Sequence, residues 1–465
     1  MAGYPSEARR NELPPYFNID RDAATAELGL PMDTGALQEI AEACLKGRDD
    51  LASRGLDVEG ARRLRLFSTW EITRYLIPVA QAHFRRVLRQ NPDLPQGRSE
   101  TENGAKWFTL DEVLRLRAFF AEGGSRSKEY RPWRPADLPA KIVAVTNFKG
   151  GVGKTSTCAH LAMSAALDGY RVLVIDLDSQ GSMTSIFGGR VADEWQTVYP
   201  LIARHYATHL RADNQRRMDR GEAPLPFDET LTEAIKLTVP DLVQTTHWPN
   251  IDLLGAQLNL YWAEFQIPVW RMAARGWKLW DALSDSLASD GTLDAYDLVF
   301  IDTPPALGYL TINGLAAADI LLVPTGASFL EFDSTGRFFD MLHTTFGSIE
   351  EGENTAARAL GRPEIAFEWD AVRAIVTRYD GAQQAEMAAL MQTYLGRTLS
   401  PHRQDFTALI GQAGEQVNGI YEADYRDFNR ETYARGRATF DETYAAFKRL
   451  LVGAWRRDER MREES

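Results

Sequence analysis

The sequence predicts an α/β protein whose larger part is a doubly wound, mostly parallel sheet, preceded by an α-helical region. Three observations carry this reading. Six short apolar, β-branched runs, at 142–145, 172–175, 251–254, 298–301, 320–323 and 372–376, alternate with helical stretches. Continuous apolar strands separated by helices belong to a parallel sheet covered on both faces. A glycine-rich segment lies between the first run and the helical pattern after it. Before residue 140 the texture differs, with short helical patterns and many arginines but no such runs. With 465 residues, 44% hydrophobic and 25% charged, the chain has the usage of folded domains and length for more than one.

In chain order, residues 1–60 are polar and acidic and are expected to form an arm with one helix, where Leu37, Ile40, Ala41, Cys44 and Leu45 recur at helical spacing. No leader is expected from the mixed start of the chain, and no apolar run is long enough to span a membrane. Cys44 and Cys158 are the only cysteines, too few and too distant for a disulfide framework or a Cys-ligated metal site, so a reducing cytoplasm is expected. Residues 61–121 read as a separate small domain, 122–140 as a Gly, Ser, Arg and Pro linker, and 141–455 as the sheet domain with a helical insertion at about 190–290. A charged tail, 456–465, follows.

Within 61–121, Ser68 is placed to cap a first helix, with Glu71 three residues on completing a capping box. Pro78 is expected to open a second helix carrying Gln81, His83, Arg85, Arg86 and Arg89. A helix, a tight turn and an Arg-rich second helix form the helix-turn-helix layout, in which the second helix enters the DNA major groove. The segment Trp107 to Glu112 resembles the wing and following helix of MerR-type winged domains. Net charge is −13, which taken alone argues against nucleic acid, yet 62–98 holds eight arginines against two acids. A solvated helical surface is the alternative reading of that cluster.

The first apolar run is followed by Asn147-Phe148-Lys149-Gly150-Gly151-Val152-Gly153-Lys154-Thr155 and then a helical pattern. Glycines let backbone N–H groups converge on phosphate oxygens, and the helix N-terminus adds its positive dipole end. Lys154 would meet the β/γ-phosphates and Thr155 would ligate Mg²⁺. The usual phosphate loop would place Gly at 148, where Phe148 stands; instead a second lysine, Lys149, sits at the loop entrance. A dinucleotide site, with Asp176 or Asp178 as its ribose acid, would want G-x-G-x-x-G and has no use for the Lys-Thr pair. Asp302 ends an apolar strand, where a carboxylate holds a water on Mg²⁺, and Asp178 ends another facing the same crevice.

These residues resemble the deviant-Walker P-loop ATPases of the ParA/MinD group, and most of all the RepA partition ATPases of repABC-type plasmids. The resemblance rests on Lys149 to Thr155, Asp176 to Gln180, Asp302-Thr303-Pro304-Pro305, Asp168 to Leu173, Thr377-Arg378-Tyr379, Gln412-Ala413-Gly414 and Ile420-Tyr421-Glu422. It implies that Lys149 reaches the partner's phosphates across a nucleotide-sandwich homodimer, that Lys154 and Thr155 hold phosphate and Mg²⁺, that Asp178 organises the attacking water, and that Asp302 binds Mg²⁺ through water. Asp178 would be a further Mg²⁺ contact through water, and the ATP site would run over Lys149, Gly150, Gly151, Val152, Gly153, Lys154, Thr155 and Ser156, with Thr377 and Arg378. Ser179 stands where relatives commonly carry Pro. Iron proteins of the same fold are excluded by their Cys-ligated cluster. The C-terminal stripe Phe447, Leu450, Leu451, Ala454 and Trp455 reads as packing on its own domain rather than as a membrane helix.

The function so implied is an ATP-dependent DNA partition ATPase, slow unless stimulated by a ParB/RepB-like centromere-binding partner. Its ATP dimer would coat non-specific DNA at the nucleoid, and 61–121 would bind an operator and repress transcription. Arg403, Arg426, Arg430, Arg435 and Arg437 are candidates for non-specific DNA contact, on sign and position alone. A positioning ATPase for a non-DNA cargo and a nucleotide-switched repressor are the alternatives.

Overall fold

A computed structural model of the chain describes residues 35, 38–40, 42–44, 46, 63–99, 101, 104–122, 130, 132–274, 276–406 and 419–464. Two compact units divide at Gly60 and Ala61. In the first, the described residues between 35 and 46 are helical; the rest of the helix expected there lies outside the described residues.

The second unit begins with β1 (Phe67–Ser68), α1 (Thr69–Glu71, running into a π-helical turn at Ile72–Leu76), α2 (Gln81–Gln90), β2 (Trp107–Phe108) and α3 (Leu110–Glu122). Ser68 caps α1 by accepting from the Glu71 N–H while the Glu71 carboxylate accepts from Ser68, the reciprocal box its spacing implied. Pro78 does not open the second helix. Ala80, with extended backbone at φ −61° and ψ 133°, is its N-cap, so 77–80 form the turn and α2 starts at Gln81. β1 and β2 pair antiparallel, Phe67 opposite Phe108, and tie the start of the module to the strand before α3.

The sheet follows as β3 (Lys141–Val145), β4 (Val172–Asp176), β5 (Gln244–Thr245), β6 (Ile251–Leu254), β7 (Leu298–Asp302), β8 (Ile320–Thr325) and β9 (Ala371–Val376). Its order is β5-β6-β4-β7-β3-β8-β9, all parallel except the edge strand β5. The six apolar runs are six of these strands. β5 escaped sequence reading because two polar residues carry no periodicity. Alternate residues of one strand serve opposite faces: Val143 and Val145 join a core with α4 (Lys154–Asp168) and α15 (Arg430–Glu464), while Ile142 and Ala144 join a core with the insertion helices. The helices between are α5 (Ser182–Ile186), α6 (Tyr199–Asp219), α7 (Glu229–Ala234), α8 (Val239–Leu242), α9 (Ala263–Ala273), α10 (Ala282–Ser289), α11 (Thr292–Ala295), α12 (Tyr309–Ala317), α13 (Phe329–Leu360) and α14 (Ala385–Leu395).

The first core continues without a break into the N-terminal module, joining Phe84, Val113 and Phe120 to Leu161, Tyr433 and Trp455. Arg65 donates to the Tyr421 carbonyl, and Arg117 of α3 forms a buried ion pair with Asp168 at the end of α4. Of the stretch expected as a linker, 123–129 and 131 lie outside the described residues. Tyr130 is buried, and Arg134 pairs with Asp297 at 2.8 Å. Phe447, Leu451, Ala454 and Trp455 are buried, so the C-terminal stripe packs on this unit; no helix among the described residues is long and apolar enough to cross a membrane.

Candidate nucleotide site

The phosphate loop joins β3 to α4 at the carboxyl ends of the parallel strands. Gly151 at φ +75° and Gly153 at φ +82° take the left-handed conformation that a side chain resists. A Cβ built on Gly150 or Gly151 would meet nothing within 4 Å, so the loop's outer side is open. Lys154 is buried and its Nζ donates to the Lys149 carbonyl at 3.2 Å, a strut across the loop. Burial lowers the Lys154 pKa, while Asp302 and then Asp178 oppose that shift.

Asn147 sets the loop's entry: its amide donates to the Pro324 carbonyl at 2.8 Å and its Oδ1 accepts the Lys149 N–H at 3.1 Å. Phe148, where the usual motif has glycine, packs against Phe338 of α13. The Lys149 side chain forms no ion pair among the described residues and is only half-buried. Thr377 donates to the Val152 carbonyl at 2.8 Å and Arg378 to the Gly151 carbonyl at 2.9 Å. Both thus brace the loop's backbone, and Arg378 does so from a left-handed φ of +52° that is uncommon for a non-glycine residue.

Asp176 and Asp302 are register partners on β4 and β7, and both are fully buried. Asp176 is satisfied: it accepts from the Asp178 N–H at 3.1 Å and from the Thr184 N–H and hydroxyl at 2.9 and 2.8 Å. Burial nonetheless raises its pKa to about 7. Asp302 has no hydrogen-bond partner at either carboxylate oxygen among the described residues. Burial first and the Asp176 charge second push its pKa well above the carboxylate range; the nearby Thr155 hydroxyl, outside hydrogen-bonding geometry, and Lys154 oppose this. A buried carboxyl without a partner costs free energy unless a ligand completes it. Asp178, half-buried, accepts the Gln180 N–H at 3.0 Å, and its carbonyl accepts the Gly181 N–H at 2.8 Å, so the turn closes with Ser179.

Two contributors had no sequence signal. Thr184 holds Asp176 from eight residues away, and Glu264 of α9 accepts the N–H groups of Tyr309 and Leu310 at 2.8 and 2.9 Å, fixing the start of α12 just past the Asp302-Thr303-Pro304-Pro305 segment. The first lies just beyond the motif and the second is a long-range contact that only the fold creates. The residues expected to meet DNA, His83, Arg85, Arg86 and Arg89, are exposed on α2 and Gln81 is half-buried, while Phe84, Val87 and Leu88 face inward. They lie on a different surface element from the loop.

Arg437 does not belong with the proposed DNA contacts. It is buried, stacked 4.0 Å over Tyr75 and paired with Asp441 at 3.1 Å, joining α15 to the N-terminal module. Arg403, Arg426 and Arg435 are exposed, Arg426 already in an ion pair with Asp424 at 2.7 Å; the side chain of Arg430 lies outside the described residues.

A doubly wound parallel sheet with a lysine-bearing glycine loop opening a helix and strand-end acids beside it defines a P-loop nucleoside triphosphatase. Residues 140–351 match the AAA domain family. A protein named as a replication protein A in Sinorhizobium fredii (strain NBRC 101917 / NGR234) is 30% identical over 411 residues, covering 85% of this chain and 88% of that one. Protein SopA of Escherichia coli (strain K12) is 29% identical over 265 residues, 56% of this chain and 58% of its own. A solved partition protein has the same fold at a TM-score of 0.57 with 16% identity, covering 91% of this chain and 99% of that one. The chain belongs to the ParA-type partition ATPases, in the company of the replication protein A relatives.

Proposed function

We propose that this chain is a Mg²⁺-dependent ATPase that assembles as an ATP-bound homodimer on non-specific DNA and binds its own operator through the N-terminal module. The observation that carries the nucleotide half is Asp302, a fully buried carboxyl with no hydrogen-bond partner among the described residues, adjoining Lys154 and Thr155. These residues fit a hydrated divalent cation: Thr155 would be a direct ligand and Asp302 would hold it through water. The cation would supply charge neutralisation of the β/γ-phosphates. Lys154 grips phosphate, Gly150 to Gly153 and Ser156 offer backbone donors, and Thr377 and Arg378 keep the loop in shape. Asp178 orients the attacking water and accepts its proton.

Two observations support self-association. Lys149 is a cation at the loop entrance with no ion pair among the described residues, and Leu258, Tyr261, Trp262, Phe265, Val269 and Met272 expose an apolar stripe, Met272 being 84% exposed, on the segment whose Glu264 grips α12. Exposed apolar patches of this kind mark interaction surfaces. Sedimentation velocity tests the dimer: monomers with ADP and dimers with ATP and Mg²⁺ are expected, and a monomer under both conditions contradicts it. Operator binding is supported by the exposed basic face of α2. A cargo positioner without DNA would leave that face unexplained. A ParB/RepB-like partner would stimulate an otherwise slow turnover in the cytoplasm.

A further inference from the structure

One cavity lies away from the nucleotide loop and shares no residue with it. It occupies about 370 Å³ between β8, β9, the end of α14 and α15. Its apolar wall includes Leu322, Phe447 and Leu450, and three arginines border it: Arg373 from β9, Arg397 from the turn after α14, and Arg449 from α15. No acidic residue among the described ones lines it.

Arg373 is unusual among the partly buried arginines of this molecule. Arg65, Arg117, Arg134, Arg204 and Arg437, all buried or half-buried, each pair with a carboxylate. Arg373 is also half-buried, yet its hydrogen bond is a single donation to the carbonyl of its neighbour Val372 at 2.9 Å. Arg397 and Arg449 form no ion pair among the described residues. Three arginines thus line one space without a counter-charge among the described residues that line it. Burial first and the Arg397 charge second lower the Arg373 pKa.

We propose that this cavity binds a small amphiphilic anion, an organic phosphate or carboxylate whose charged end is held by Arg373, Arg397 and Arg449 and whose apolar body lies against Leu322, Phe447 and Leu450. Guanidinium forks match both anions in a bidentate way. The volume is within the range of small-molecule sites. The apolar wall separates this site from a simple inorganic-anion site, since phosphate alone would leave it wetted.

The test is isothermal titration of the full chain with 1-naphthyl phosphate, with saturating ADP and Mg²⁺ filling the nucleotide site, and with decanoate, inorganic phosphate and 1-naphthol in parallel. Saturable binding of naphthyl phosphate or decanoate is expected, the tighter of the two assigning an organic phosphate or an acyl carboxylate. Binding should weaken at least tenfold in an Arg397→Ala/Arg449→Ala variant, whose side chains are exposed and whose loss leaves the core intact. Inorganic phosphate and naphthol should each bind at least tenfold more weakly. No saturable binding of either amphiphile, binding unchanged in the variant, or inorganic phosphate binding as well as the amphiphiles would overturn the proposal.

Discussion

Asp302 and Asp176 are neighbours in register, but only Asp176 has its oxygens filled by protein donors, and that difference separates a binding group from a scaffold group. Lys154→Ala should abolish nucleotide binding, measured with a fluorescent ATP analogue. Asp178→Ala should bind ATP and dimerise normally while turnover falls by ~100-fold or more, since the role proposed for that carboxylate is to orient the attacking water rather than to grip the nucleotide. Wild-type turnover in that variant would remove Asp178 from the chemistry. His160, in the loop's own helix, gives a pH signature. Its Nδ1–H donates to the Ser156 carbonyl at 2.6 Å and its Nε2 accepts the Ile420 N–H at 3.0 Å, so a second proton would break the Ile420 bond. Burial lowers its pKa to about 4, below the unfolded value. The unfolded chain therefore binds the extra proton between pH 6.5 and 4, and stability should fall by about 3 kcal/mol as pH drops through that window. Urea unfolding at pH 7 and pH 4.5 checks this, and a His160→Gln variant should lose much of the difference. The glycine loop and its acids were legible because phosphate chemistry demands fixed residue types at short spacing; His160 was not, because its partners Ile420 and Phe440 lie more than 250 residues away.

At the scale of elements, α4 is a rod with the phosphate loop at its start and the N-terminal module at its end. Its last residue, Asp168, meets Arg117 of α3, Tyr444 and Lys448. Asp168→Ala strands the Arg117 charge in the interior and should cost about 3–5 kcal/mol, read by urea unfolding; a loss below 1 kcal/mol would show the pair to be incidental. The six apolar strands and the capped first helix could be read from the sequence, because period and capping are local. The docking of the module could not, because Arg65, Arg117 and Arg437 gave no sign of their partners; Arg437, taken for a surface cation, is a buried strut. On α2, Arg85 and Arg86 project about 100° apart, and both are exposed. One should read a base, so its replacement by Ala costs about 1–3 kcal/mol at the operator and relaxes sequence preference. The other should meet phosphate and weaken all DNA alike, with a flatter salt dependence. Equal, sequence-independent losses from both would reduce α2 to a charged surface.

The molecule as a whole joins two features in one compact unit: a phosphate loop with Lys149 at its entrance and a basic helix packed into the same core. An acidic chain of net charge −13 would bind DNA only where cations are concentrated, and the proposed dimer would double them on one particle. Nucleotide state should therefore govern affinity for DNA of any sequence. The direct measurement is fluorescence anisotropy of a random-sequence duplex titrated with the full chain without nucleotide, with ADP and with ATP, each with Mg²⁺. Affinity at least tenfold higher with ATP than in the other two states is predicted, with the gain lost in Lys149→Ala although that variant still binds nucleotide; equal affinity in all three states would contradict nucleotide-governed DNA binding.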